Sequence, residues 1–350
     1  MSQRFSAIGI LTAAVALAAL VSTTANGQTS KTTTSAKPYN PPRQADGHPD
    51  LSGIWSHNSA TPFERPKELA GRATLTDEEV ARMKQRYAEL FGNDAGDATF
   101  GDQVFVAALT DKKYVNGDGV GNYNHFWLVN REFDNRTSLV VDPPDGRLPP
   151  LTPAAIEKQK AAGEHRRLHP FDGPEDIALG ERCITGNVPM LGAGYNNYYQ
   201  IVQSADTVGL YLEMRHDLRM IPIDNRPHIS SSIQEWLGDP RGHWEGDTLV
   251  VDSTNFRTRD GGGARGIGGD HARVTERFTR VSADTLKYEV TVNDPETYTK
   301  PWTSVLYWSS TKDPIYEYAC HEGNEAMSGT LGGTRALEKG AADAAKKGSR

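Results

Sequence analysis

The feature that most constrains this chain is a succession of ten short β-prone runs, at residues 126–131, 137–142, 198–204, 207–213, 218–224, 248–252, 273–281, 285–292, 305–309 and 315–320. Each is bounded by Gly, Pro, Asn or Asp, the residues that break strands and form turns. They succeed one another without βαβ alternation, so their pairing is expected to be antiparallel. The fold expected is mainly β, a barrel or a sandwich. The tetrapeptide Ser-Ala-Asp-Thr occurs at 204–207 and again at 282–285, each time between two runs, and both copies read as hairpin turns. A third turn is expected at 243–248, where Gly246 is free to take positive φ.

Two peripheral helices are expected near the N-terminal part. Thr76-Asp77-Glu78-Glu79 has the capping-box form, and Val80, Met83, Tyr87 and Leu90 follow at helical spacing as one apolar stripe. Thr152-Pro153 starts the second helix, since Thr caps and Pro suits the first helical position; it is expected to run to about His165. Residues 261–269 hold six glycines in nine and read as a loop. No strand-then-helix context surrounds them, so they are not read as a nucleotide site.

The ends carry a different message. Arg4 and the apolar run 7–21 precede small polar residues, which is the pattern of a secretory signal peptide over 1–27. The 15 residues of that run fall short of the roughly 20 needed to span a bilayer. The expected organisation is a signal peptide (1–27), a disordered leader (28–46), a single β-rich domain (47–335) and a flexible tail (336–350). The location expected is periplasmic or secreted, with no stable membrane insertion after cleavage. Only two cysteines are present, Cys183 and Cys320. In an exported chain they are expected to form one disulfide. Lys and Arg number 38 against 45 Asp and Glu, a net charge of −7, with no long basic run; nucleic acid is therefore excluded as the main partner.

Four stretches carry a resemblance: GHPDLSGIW at 47–55, GYNNYYQIVQ at 194–203, WLGDPRGHWEGDTLVVDSTNF at 236–256 and YEYACHEGN at 316–324. Together they resemble a large family of exported bacterial proteins. The Gly53-x-Trp55 spacing is similar to the first strand of lipocalin-like barrels. The resemblance implies export and assigns no reaction.

Candidate chemistry therefore rests on residue types. The densest polar cluster runs from Tyr195 to His228. If 207–217 is one strand, alternation puts Tyr211, Glu213 and Arg215 on one face and Leu210, Leu212, Met214 and His216 on the other. His216 then follows the apolar side, where it is either a satisfied core histidine or a catalytic base. In the catalytic reading His216 abstracts a proton, Arg219 neutralises a substrate anion, Tyr198 donates to the leaving oxygen, and Glu213 completes the catalytic set. A turn at 217–218 would bring Arg219 back toward His216. Arg215, Tyr199, Asn197, His228, His321 and Glu322 are candidate substrate-binding residues. A pairing of Glu213 with Asp217 would instead suit glycoside hydrolysis. His216, His228 and His321 lack any HExxH spacing, so no metal is expected, and no cofactor is expected either. Two functions follow. One is an exported, metal-independent lyase or isomerase acting on a carbohydrate or aromatic acid. The other is a non-catalytic small-ligand-binding β-barrel of the cell envelope. Either takes a small-molecule or oligosaccharide ligand.

Overall fold

A computed structural model describes residues 39–91, 102–109, 131–185, 188–191, 195–258 and 267–348. The elements are β1 (Gly53–Ser56), α1 (Asp77–Phe91), α2 (Asp102–Leu109), β2 (Val140–Asp142), α3 (Pro153–Leu168), β3 (Tyr198–Gln203), β4 (Thr207–Leu212), β5 (Leu218–Pro222), β6 (Asp239–Glu245), β7 (Thr248–Thr254), β8 (Arg273–Arg280), β9 (Thr285–Asn293), β10 (Trp302–Thr311) and α4 (Ala326–Gly348). The strands form one antiparallel sheet in the order β5-β4-β3-β1-β10-β9-β8-β7-β6, with β2 added beside β10. The mainly-β, antiparallel expectation holds.

Period-two alternation builds the interior. On β8 the residues Val274, Glu276 and Phe278 point inward, and on β9 Leu286, Tyr288, Val290 and Val292 do the same. Tyr199 stacks on Trp308 at 4.4 Å, Trp308 on Tyr288 at 4.8 Å, and Tyr288 lies 5.1 Å from Phe278. Trp55, Phe256 and Trp302 complete a set of rings sealed from solvent. Each such burial is worth about 1.5–3 kcal/mol, so this core dominates the stability. The two edge strands make no ladder with each other, yet they touch. A methyl group at Gly242 on β6 would lie 2.6 Å from Cγ2 of Ile223 and 3.0 Å from Cγ2 of Ile221. The sheet is thus an open barrel whose edges meet where the backbone at Gly242 lies against Ile221 and Ile223.

The local signals behave as their chemistry requires. Thr76 Oγ1 accepts from Glu79 N at 3.2 Å while Glu79 Oε2 accepts from Thr76 N at 2.9 Å, the reciprocal capping box. Thr152 Oγ1 accepts from Ala155 N at 3.1 Å, and α3 runs three residues beyond His165. Val281 N and Ser282 N both bond Thr285 O, and Ser204 N bonds Thr207 O, so the repeated tetrapeptide closes two hairpins. Gly246 has φ 58° in the β6–β7 turn.

Five segments differ from expectation. Residues 102–109, where no element is expected from the sequence, form α2, whose Phe105 and Ala108 pack in one cluster with Met83 of α1. Residues 239–245, partly assigned to a turn, form β6; Pro240 is tolerated there because β6 is an edge strand and no neighbour needs its missing N–H. Residues 315–320 are not a strand, since no neighbour offers them a ladder and Pro314 precedes them. Residues 336–348, expected as a tail, belong to α4, whose Ala- and Lys-rich sequence favours helix, although none of its side chains is buried. The leader expected to reach residue 46 is tied down from its end: Arg43 bridges Pro49 and its guanidinium bonds Asp247 at 2.8 Å. The segment read as a signal peptide (1–27), residues 28–38, run 126–130 and most of the glycine-rich loop lie outside the described residues.

Candidate functional site at the clasped rim of the barrel

The turn after β4 decides where the candidate residues go. β4 ends at Leu212, and Met214–His216 is a 3-10 turn in which Arg215 (φ 61°) and His216 (φ 46°) are both left-handed. Leu212 N bonds Asp217 O at 2.8 Å and His216 N bonds Glu213 O at 3.1 Å, so the chain reverses within five residues. Strand alternation therefore does not extend to 217. His216 is exposed and neither faces the core nor lines the barrel interior.

Arg219 is one residue into β5 and points inside. Its Nη1 and Nη2 donate to Glu276 Oε1 and Oε2 at 2.9 and 2.5 Å, and Nη2 reaches Ser253 Oγ at 3.3 Å. Tyr288 donates to the same Glu276 at 2.8 Å and accepts from Met190 N at 3.2 Å. Burial works against the Arg219 charge, but the charge and hydrogen bonds of Glu276 more than offset it and hold the guanidinium above its ordinary value. Burial first, then the Glu276 charge, pushes the Tyr288 phenol well up. The expected partnership of Arg219 with His216 is not formed.

What does gather at the rim is Tyr198, Glu213, Arg215 and His216, together with an irregular segment at 312–325. Glu213 is 4% exposed. Its Oε2 accepts from Tyr198 N at 3.3 Å and its Oε1 from Tyr316 N at 3.5 Å. Among the described residues it pairs with no cation. Burial raises the carboxyl above its usual value, and the N–H groups of Tyr198 and Tyr316 and the Asn196 side chain offset only part of that. The Tyr198 hydroxyl donates to Asp313 Oδ2 at 3.1 Å, and burial followed by that bond pushes the phenol up to about 12. Glu213 and Asp313 are thus held at opposite ends of one tyrosine.

The segment is fastened at several points. His216 Nδ1 bonds the carbonyl of Tyr318 at 2.9 Å. Cys183 and Cys320 form the expected disulfide, with S–S 2.04 Å. Asn324 Nδ2 donates to Glu181 O at 3.1 Å. On the barrel side Arg215 lies against Gly180, so closely that a methyl there would meet its Nη2 at 2.1 Å, and Thr185 donates to Asp217 at 2.8 Å. The bridge therefore fixes loop 180–185 to the segment, while Arg215 and Asp217 hold the same loop to the turn.

The remaining candidates are elsewhere. Tyr199 is in the aromatic core, and Asn197 is buried with its Nδ2 on the carbonyl of His57 at 2.8 Å. His228 is held between two carboxylates, Nδ1 to Asp239 at 2.8 Å and Nε2 to Asp252 at 3.1 Å. Arg241 and Arg273 bind the outer oxygens of those carboxylates at 2.6 and 2.5 Å, closing a network that ties the β5–β6 connection to the sheet. His321 and Glu322 are exposed just beyond Cys320. Asp217 is engaged by Thr185, so the carboxylate associated with Glu213 through Tyr198 is Asp313, which sequence reasoning missed. Only the expected disulfide pointed to it, by bringing residue 320 back to 183.

Among the described residues no group of three or more His, Cys, Asp or Glu side chains converges to hold a metal ion. No helix among them is long and apolar enough to cross a membrane. Protein-family models and curated proteins give no match to the chain.

Proposed function

We propose that the chain is an exported enzyme that performs acid–base chemistry on a carbohydrate, of lyase or hydrolase type, with Glu213 as the proton donor. The observation that carries this reading is the Glu213 carboxyl itself, buried, without a cation among the described residues, and raised above its usual value. A carboxyl in that setting retains its proton closer to neutrality, which is what a general acid requires. Tyr198 and Asp313 supply a second hydrogen-bonded pair on the same rim, and Asp313 would be the second of the two carboxyl groups that glycoside chemistry uses. Tyr316, 67% exposed, offers a ring face of the kind on which sugars stack.

An aromatic-acid substrate is less well served, because the arginine that would have met its carboxylate is committed to Glu276. The ligand-binding-barrel reading needs an apolar cup. Here Tyr199, Trp308, Tyr288 and Phe278 occupy the inner face. Export is supported by the signal-like N-terminus and by the disulfide, a bond that persists in oxidising compartments.

The test is turnover of a panel of aryl glycosides and uronic-acid-containing polysaccharides by the wild type and Glu213→Gln. Loss of a general acid lowers the rate about 10²–10⁴-fold. Equal rates in the two proteins would remove Glu213 from the mechanism, and no turnover on any substrate would end the enzymatic reading.

A further inference from the structure

Glu213 as it stands is sealed, and a proton donor has to meet its substrate. Among the described residues the seal has two sides. One is β3, through Tyr198 N, and the other is the segment 312–325, through Tyr316 N. That segment contains neither strand nor helix, and most of its residues are exposed. Among the described residues its attachments to the rim are the Tyr198 bond to Asp313, the Tyr316 N bond to Glu213, the His216 bond to Tyr318 O, the Asn324 bonds to Glu181 O and Cys183 Sγ, and the Cys183–Cys320 disulfide. All but the last are hydrogen bonds, most of them with an exposed partner. The last is covalent. By contrast, the barrel beneath is held by continuous ladders from β3 through β10 to β6, to which the segment contributes nothing. A piece of chain outside the ladders, fastened by a few hydrogen bonds and one covalent clasp, is a local opening unit.

We propose that residues 312–325 are a disulfide-clasped strap closed over the Glu213 carboxylate, and that a dithiol reductant opens it to admit substrate. In that step the dithiol is oxidised to its disulfide, the Cys183–Cys320 bond breaks, and the two electrons and two protons given up leave Cys183 and Cys320 as thiols. With the clasp gone, Tyr316 withdraws from Oε1, and water and ligand reach the carboxyl from the side away from β3. The Cys183 end stays with the barrel, because loop 180–185 is held by Arg215 against Gly180 and by Thr185 on Asp217. The moving part is therefore the C-terminal side of the bridge. This inference rests on Glu213 being the working group, but its test needs no turnover.

The experiment is carboxyl labelling of the full-length protein with a water-soluble carbodiimide and glycine ethyl ester, read by peptide mass spectrometry. Amide hydrogen exchange is followed in parallel. In the oxidised protein Glu213 should label at least about tenfold more slowly than the exposed Glu317 and Glu322. Addition of a small dithiol, or the double substitution Cys183→Ser/Cys320→Ser, should remove most of that difference. Exchange should rise in 312–325 and at 213–216 while the β7, β8 and β9 amides stay protected. Glu213 labelling that is unchanged by reduction would overturn the strap. So would loss of protection throughout the barrel, because the bridge would then be holding the whole fold. If the double variant fails to fold, reduction of the wild type gives the same readout. A strap that opens on a protein without activity would reject the enzymatic reading alone, and an active enzyme whose Glu213 never becomes accessible would reject the strap alone.

Discussion

Arg219 and Glu276 form a two-pronged ion pair inside the barrel, with both side chains essentially inaccessible to solvent. They come from β5 and β8, which are not neighbours in the sheet, so the pair crosses the interior. Removing one partner leaves the other charge buried and unpaired, which costs about 3–5 kcal/mol. Arg219→Met and Glu276→Gln should each lower the unfolding free energy by that order in urea titration. Replacing both with apolar residues of similar volume should recover most of the loss. Single substitutions costing under about 1 kcal/mol would mean that water reaches the pair.

Glu213 gives a pH dependence of definite sign. Its folded value lies above the ordinary 4.5, chiefly through burial. The folded state therefore holds this proton more tightly than the unfolded chain, and its ionisation works against folding. The penalty is absent well below pH 4.5, grows as pH rises toward the folded value, and is constant above it. Glu213→Gln keeps a neutral group there at every pH. The melting temperature of the variant should thus gain on that of the wild type between acid and neutral pH. A difference that does not change with pH would show that Glu213 titrates normally.

The sequence disclosed the sheet because half-buried strands alternate with period two and because the two Ser-Ala-Asp-Thr turns are bounded by such strands. It disclosed both helix starts because capping is local chemistry: Thr76 with Glu79, and Thr152 with Ala155. β6 was partly hidden, since Pro240 and Gly242 argue against a strand until it is known to lie on an edge. The candidate site was half legible. Tyr198 and Glu213 are close in sequence across one hairpin and do meet. Asp313 and Tyr316 arrive through a disulfide that joins positions 137 apart, a distance over which no periodicity speaks. The fate of Arg219 was illegible for a sharper reason. An arginine seldom faces a core, and what permits it here is Glu276, 57 residues away on another strand.

His216 offers a backbone test separate from its side chain. Its φ of 46° is left-handed, as is the 61° of Arg215, and a residue with a Cβ pays roughly 1 kcal/mol to remain there. His216→Gly and His216→Ala both delete the bond to Tyr318 O, so that loss cancels between them. The glycine variant should be the more stable by about 1 kcal/mol. Equal stabilities would mean that the 3-10 turn relaxes when the imidazole is gone.

The meeting of the sheet edges can be probed at Gly242. Its position on β6 leaves no room for a methyl, which would fall 2.6 Å from Cγ2 of Ile223 and 3.0 Å from Cγ2 of Ile221, well inside contact distance. Both obstructing atoms are γ-methyls of β-branched residues on or just after β5, and a β-branched side chain has little freedom to rotate away. Gly242→Ala should therefore push β5 from β6 and destabilise the protein by about 1–3 kcal/mol, the usual cost of overpacking. Ile223→Leu removes the nearer Cγ2 while keeping the volume. In the Gly242→Ala background it should recover part of the loss, although alone it is neutral or mildly unfavourable. The coupling is read from a double-mutant cycle in urea. Additive effects would mean that the two edges do not touch in solution and that the barrel is more open than its structure.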